Sequence, residues 1–142
     1  MKKELLKEYC DGEFENIALI LKEIKELREK TSAPNKVEVA ALGTFIHNFY
    51  NGAENILKRV FQHNNIIFKN TPTYHKFILK KALEENIIDE NTYNNLYKFL
   101  TFRHFFVHGY SFLIEWEKLK PLVDCIEDIF KSFKTAIDNY IN

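Results

Sequence analysis

Residues 39–60, VAALGTFIHNFYNGAENILKRV, decide the fold class. Val39, Leu42, Ile46, Phe49, Ala53, Ile56 and Val60 recur in alternating steps of three and four for three heptads. That spacing lines one stripe of a helix, whereas a half-buried strand would alternate every second residue. A seam this long predicts long helices packed nearly antiparallel in a bundle. Val39 to Ala53 is also the longest run free of Asp, Glu, Lys and Arg. It is fifteen residues long and holds His47, Asn48 and Asn51, so it is too short and too polar to span a bilayer.

The same periodicity extends to both sides. Ile17, Ile20, Ile24 and Leu27, with Leu21 beside them, predict a first helix over Lys3 to Lys30, with Asp11-Gly12 as a candidate interruption. Thr31-Ser32-Ala33-Pro34 is a turn signal. Leu122, Ile126, Ile129, Phe133, Ala136 and Tyr140 predict a final helix that starts after Pro121 or slightly before it. Between these, Thr71-Pro72 reads as an N-cap with proline at the first helical position, opening a short helix to about Glu85. Asp89 or Asn91 is placed to cap another, running through Leu96, Phe99 and Leu100 towards Gly109. The expected architecture is an all-α antiparallel bundle of four to five helices in one domain, residues 1–142. Only 4 glycines and 3 prolines among 142 residues argue against a sandwich or barrel with frequent turns.

Lys+Arg and Asp+Glu both number 20, so net charge does not advertise a polyanionic partner. The distribution is less even. No acid occurs from Asn55 to Leu83, where Lys58, Arg59, Lys69, Lys76, Lys80 and Lys81 lie, nor from Asn91 to Ile114, which holds Lys98 and Arg103. Two acid-free stretches can present one positive face to a nucleic acid; the alternative is that these lysines only solvate helix surfaces. Lys76, Lys80 and Lys81 are the candidate phosphate anchors. Met1-Lys2-Lys3-Glu4 is followed by no apolar signal-peptide core, so a cytoplasmic location and no membrane partner are expected. Cys10 and Cys125 stand too far apart for metal-ligand spacing and read as packing residues.

The chemistry concentrates in residues 99–112, Phe-Leu-Thr-Phe-Arg-His-Phe-Phe-Val-His-Gly-Tyr-Ser-Phe. Leu96, Phe99, Arg103, Phe106 and Tyr110 form one helical stripe, so Arg103 occupies a position where the pattern asks for an apolar residue. Its guanidinium keeps its charge and must reach a carboxylate, a cleft or a bound anion. Apolar residues surround this helix on every side. A second surface is therefore expected, most simply a symmetric dimer; the other solution is a central helix enclosed by its own chain. Arg103 and His108 are five residues apart, roughly 140° on a straight helix. They share a face only if the helix ends or kinks, and Gly109 is a suitable residue just past such an end.

An arginine and an imidazole suit metal-free RNA cleavage. Histidine titrates near neutrality and serves as base or acid, while arginine steadies the charge on phosphate oxygens. One histidine per chain is thin for two proton transfers, and two chains across a dimer axis would supply two. Other readings of the histidines are blander. His104 and His108 have i, i+4 ligand spacing, but the nearest acids are Glu90 and Glu115, so no metal or other cofactor is assigned. His47, His63 and His75 read as surface or capping residues, with His75 placed in the basic stretch where it can touch RNA phosphate.

Arg103-His104-Phe105-Phe106-Val107-His108-Gly109-Tyr110 fits R-x4-H-x-Y, and its core resembles the R-x4-6-H signature of HEPN domains. With Tyr110, the length and the all-α context, the chain resembles the HepT-like toxins of HEPN–MNT toxin–antitoxin pairs. His47-Asn48-Phe49-Tyr50-Asn51-Gly52-Ala53-Glu54 and the flanking Phe102 and Phe112 are similar to that branch too, so the likeness runs from about Val39 onwards. It implies a metal-independent endoribonuclease, active as a homodimer through the motif region, with Arg103 and His108 as the catalytic pair. Tyr110 matches the tyrosine to which the MNT nucleotidyltransferase antitoxin adds AMP, silencing the toxin. Many family members carry Asn or Asp after the arginine; His104 stands there instead, as a supporting residue. The resemblance leaves open whether the RNA is tRNA, mRNA or another. It also admits a catalytically idle helical module that binds a nucleotidyltransferase.

Overall fold

The computed structural model describes residues 2–69, 71–108 and 113–142. They form five helices: α1 (Lys3–Lys30), α2 (Lys36–His63), α3 (Tyr74–Glu84), α4 (Glu90–Val107) and α5 (Trp116–Ile141). No strand occurs among the described residues. No helix among them is long and apolar enough to cross a membrane. The all-α bundle read from the spacing is the fold observed.

Helix α2 lies at the centre and touches all four other helices. Every residue of its seven-residue seam is buried, and so are Tyr50, Leu57 and Phe61 on other sides. Its start is fixed by a capping box: the Asn35 side chain accepts from the Glu38 N–H while the Glu38 carboxylate accepts from the Asn35 N–H, both at 2.9 Å. Arg59 of α2 covers the Tyr9 ring of α1 at 3.9 Å while Gly52 faces Ile17, so the two helices run antiparallel. Gly52 permits the close approach, since a Cβ there would stand 3.0 Å from Ile17. Helix α1 continues through Asp11-Gly12 without the interruption the sequence suggested.

The short helix α3 begins later than Thr71-Pro72 indicated. The Thr71 carbonyl accepts from the Tyr74 N–H at 3.0 Å, which makes Pro72 the second residue of a turn. The fixed φ of proline suits that position as well as the first position of a helix. Helices α2 and α3 both end with an asparagine at positive φ, Asn65 (57°) and Asn86 (59°). The following N–H groups, of Ile66 and Ile87, reach back to Phe61 and Ala82 at 2.8 and 2.9 Å, closing Schellman motifs. The turn after α3 buries Ile87 and Ile88 and leads directly into the Asp89 cap of α4, whose carboxylate accepts from the Thr92 N–H at 2.7 Å.

Helix α5 starts at Trp116, and Pro121 lies inside it. Its buried seam is Leu119, Val123, Ile126, Ile129, Phe133 and Ile137, so the predicted stripe is right at its middle and displaced at both ends. Leu122 and Ala136 pack on the flank of the core and Tyr140 is exposed. The apolar face is wider than two positions per heptad, and the helix uses its other edge. Both cysteines are packing residues. Burial pushes the Cys10 thiol up to about 11 and raises that of Cys125 as well.

A change in the α2 seam is expected to be costly. Ile46→Ala should lower the unfolding free energy in urea by about 2–5 kcal/mol, whereas Val37→Ala, at a position 78% exposed on the same helix, should change it by less than about 0.5 kcal/mol.

Candidate functional site

Thr44, Asn48, Asn55 and Gln62 form the solvent face of α2, and a second polar stripe lies beside it, turned towards the other helices. His47, Asn51, Glu54 and Lys58 follow one another at steps of four, three and four, and so lie on one stripe. Helix α4 runs antiparallel along this stripe, with Phe106 against His47 and Arg103 against Asn51. Gly43, one turn before His47, lets the aromatic end of α4 settle. A Cβ there would lie 2.9 Å from Ile114 and 3.4 Å from Phe102.

The Nε–H of Arg103 donates to Asn51 Oδ1 at 3.0 Å. Among the described residues no carboxylate pairs with this guanidinium, so the amide fixes its direction and leaves its charge intact. The other end of Asn51 is a donor, and its Nδ2 stands 3.1 Å from His47 Nε2. His47 Nε2 therefore accepts, and the imidazole proton resides on Nδ1. Burial, and then the positive charge of Arg103, hold the His47 pKa below its ordinary value. Its ring stacks on Phe106 with centres 5.0 Å apart.

One turn further along α2, Glu54 is only 3% exposed. Both of its carboxylate oxygens lie 2.8 Å from His75 Nδ1 on α3, and Lys58 Nζ reaches it at 3.4 Å. The neighbouring Tyr50 phenol is held well above its usual pKa, first by burial and then by the Glu54 charge.

Arg103 and His75 meet in a cleft of about 330 Å³ between the start of α3 and the C-terminal half of α4. Lys76 and His104 line it as well, together with Tyr97, Leu100 and Thr101. Its ionisable lining is thus two basic side chains and two imidazoles, with a tyrosine; no acid is among the described lining residues, and Glu54 is buried beneath His75. Helix α4 ends at Val107, and His108 follows as its C-cap, where the sequence placed the end. The His108 ring meets the His104 ring edge-on at 4.4 Å, so His104 links the cleft to His108. Gly109, Tyr110 and Phe112 lie outside the described residues. Lys80 is exposed and away from the cleft, and Lys81 pairs with Glu85 at 3.2 Å. His63 sits in the last turn of α2. A larger groove of about 490 Å³ between α1 and α5 contains none of these groups.

The structure thus moves His47 and His75 from the surface into the site's supporting network, and it adds Asn51 and Glu54, to which the sequence reading gave no role. The available signal was a polar stripe, His47, Asn51, Glu54 and Lys58, running beside the apolar seam of α2.

A family model described as "HepT-like protein" matches residues 41–142, which takes in nearly all of α2 and every helix after it. No curated protein and no solved structure matches the chain.

The His47 network has a pH signature. Its folded-state pKa lies below the ordinary 6.5. Above that value both folded and unfolded chains hold it neutral; as pH falls below it, the unfolded chain takes up the proton first and stability drops. Thermal unfolding midpoints should therefore fall more between about pH 7 and about pH 5 for the wild type than for His47→Phe, which keeps a ring against Phe106.

Proposed function

Because the chain belongs to the HepT-like family, HEPN-type proteins of toxin–antitoxin modules, we propose that it is the toxin of such a pair and a metal-independent endoribonuclease. The observation that carries this reading is Arg103, held by a neutral amide at the wall of a cleft lined by His104 and, among the described residues, by no acid, with the His108 ring set against His104 outside that lining. A cation so placed is suited to phosphate oxygens, which it binds without first breaking a salt bridge.

The chemistry follows from these groups. An unprotonated imidazole takes the proton of the RNA 2′-hydroxyl as that oxygen bonds to phosphorus. The bond from phosphorus to the 5′-oxygen breaks, and a protonated imidazole supplies the proton that oxygen needs. The products are a 2′,3′-cyclic phosphate and a 5′-hydroxyl. Arg103 steadies the charge on the non-bridging oxygens, and His108 performs proton transfer. Lys76 holds a flanking phosphate; Lys80 and Lys81 are more distant contacts for the strand.

The active form is a homodimer joined through the motif region. Phe105 and Val107, 37% and 48% exposed at the end of α4, offer apolar surface for a second copy. The cognate MNT-type nucleotidyltransferase silences the toxin by adding AMP to Tyr110. A phosphodiester two residues beyond His108 brings bulk and negative charge to where substrate phosphate must sit.

Purified protein should cut RNA in EDTA, and His108→Ala should slow cleavage by about 10²–10⁴-fold. Tyr110→Phe should cut at the wild-type rate and escape silencing by the nucleotidyltransferase. A wild-type chain that binds the nucleotidyltransferase and leaves RNA intact would instead make it an idle partner-binding module.

A further inference from the structure

We propose that His75, aimed by the buried carboxylate of Glu54, is a second proton-transferring imidazole of the Arg103 cleft, supplied by the same chain. The inference rests on the ribonuclease reading and extends it to a residue outside the R-x4-H motif.

Three observations point this way. First, His75 lines the cleft together with Arg103 and His104, although it comes from α3, on the other side of the opening. Second, its Nδ1 lies 2.8 Å from both oxygens of Glu54. A carboxylate only accepts hydrogen bonds, so the proton is fixed on Nδ1, and Nε2 is left as the nitrogen available to a ligand. A carboxylate that sets the tautomer and direction of an imidazole in this way is the arrangement general acid–base chemistry uses. Third, the docking of α3 does not rest on this pair alone, since Ile78, Leu79 and Ala82 bury that helix against the core. The Tyr74 ring, 3.9 Å from His75, and Lys58, which reaches both Glu54 and the Tyr74 face, restrain the pair further.

The consequence concerns the number of histidines. Cleavage moves two protons, one off the 2′-hydroxyl and one onto the 5′-oxygen as the bond to phosphorus breaks. His75 and His104 line one cleft and His108 meets the His104 ring at 4.4 Å, so with His75 taking one transfer and a motif imidazole the other, the partner copy need not lend an imidazole.

The test is single-turnover cleavage of RNA in EDTA by the wild type, His75→Gln, His75→Gly and Glu54→Gln, each checked for folding by circular dichroism. His75→Gln can still donate to Glu54 and so leaves the buried carboxylate with a partner. It should fold and lose about 10²–10⁴-fold in the single-turnover rate at saturating enzyme, with little change in the enzyme concentration that gives half that rate. Added imidazole should restore part of the rate to His75→Gly and none to Arg103→Ala, a readout that a purely structural role would not produce. Glu54→Gln should slow the wild type and add nothing in the His75→Gln background. A folded His75→Gln that cuts at the wild-type rate, beside an active wild type and an inactive His108→Ala, would overturn this inference alone. A loss in both His75 variants that imidazole does not relieve would overturn it as well. A wild type that leaves RNA uncut would overturn the ribonuclease reading and this inference together.

Discussion

Two polar side chains on the central helix, Asn51 and Glu54, determine what the rest of the structure presents. Helix α2 touches every other helix; Glu54 is buried and Asn51 half-buried on it, and each is hydrogen-bonded to a side chain of a neighbouring helix. Asn51 finds Arg103 on α4, and Glu54 finds His75 on α3. Each contact takes a basic group from a flanking helix and fixes its direction towards the one cleft those helices share. The apolar seam of α2 assembles the bundle, and its polar stripe orients the cleft.

The two partners differ in charge, and the difference has consequences. A carboxylate at position 51 would neutralise Arg103 and compete with any anionic ligand for it, whereas a carboxamide supplies one accepted hydrogen bond and no charge. For His75 the partner is anionic, and it fixes a proton on Nδ1. Such an arrangement keeps the cleft cationic overall while its imidazole remains oriented. The family match covers all of these elements and leaves out α1, whose contribution is to close the far side of the core through Ile17 and Ile24.

Much of the fold was legible because its signals are local. The α2 seam, the Asp89 cap and the end of α4 beside Gly109 depend on apolar spacing and short-range capping, both written within a few residues. Thr71-Pro72 was ambiguous for a physical reason, since proline suits a turn and a first helical position equally. The α5 seam was displaced because a wide apolar face can dock on either edge. At the site, Arg103 announced itself as a charge at an apolar position. Its partner did not, for Asn51 lies 52 residues away, and the contact depends on how α4 lies across α2, which periodicity leaves open. His75 stood in a lysine-rich stretch and looked solvated; only the placement of Glu54 beneath it, 21 residues earlier, shows otherwise.

The dependence of Arg103 on Asn51 is tested most directly by a double-mutant cycle in RNA cleavage. Asn51→Ala, Arg103→Ala and the double variant are compared with the wild type under one set of conditions. If the amide acts by holding the guanidinium, the double variant cuts at the rate of Arg103→Ala alone. If the two losses multiply as independent effects, Asn51 acts elsewhere and the central role given to the α2 stripe is contradicted.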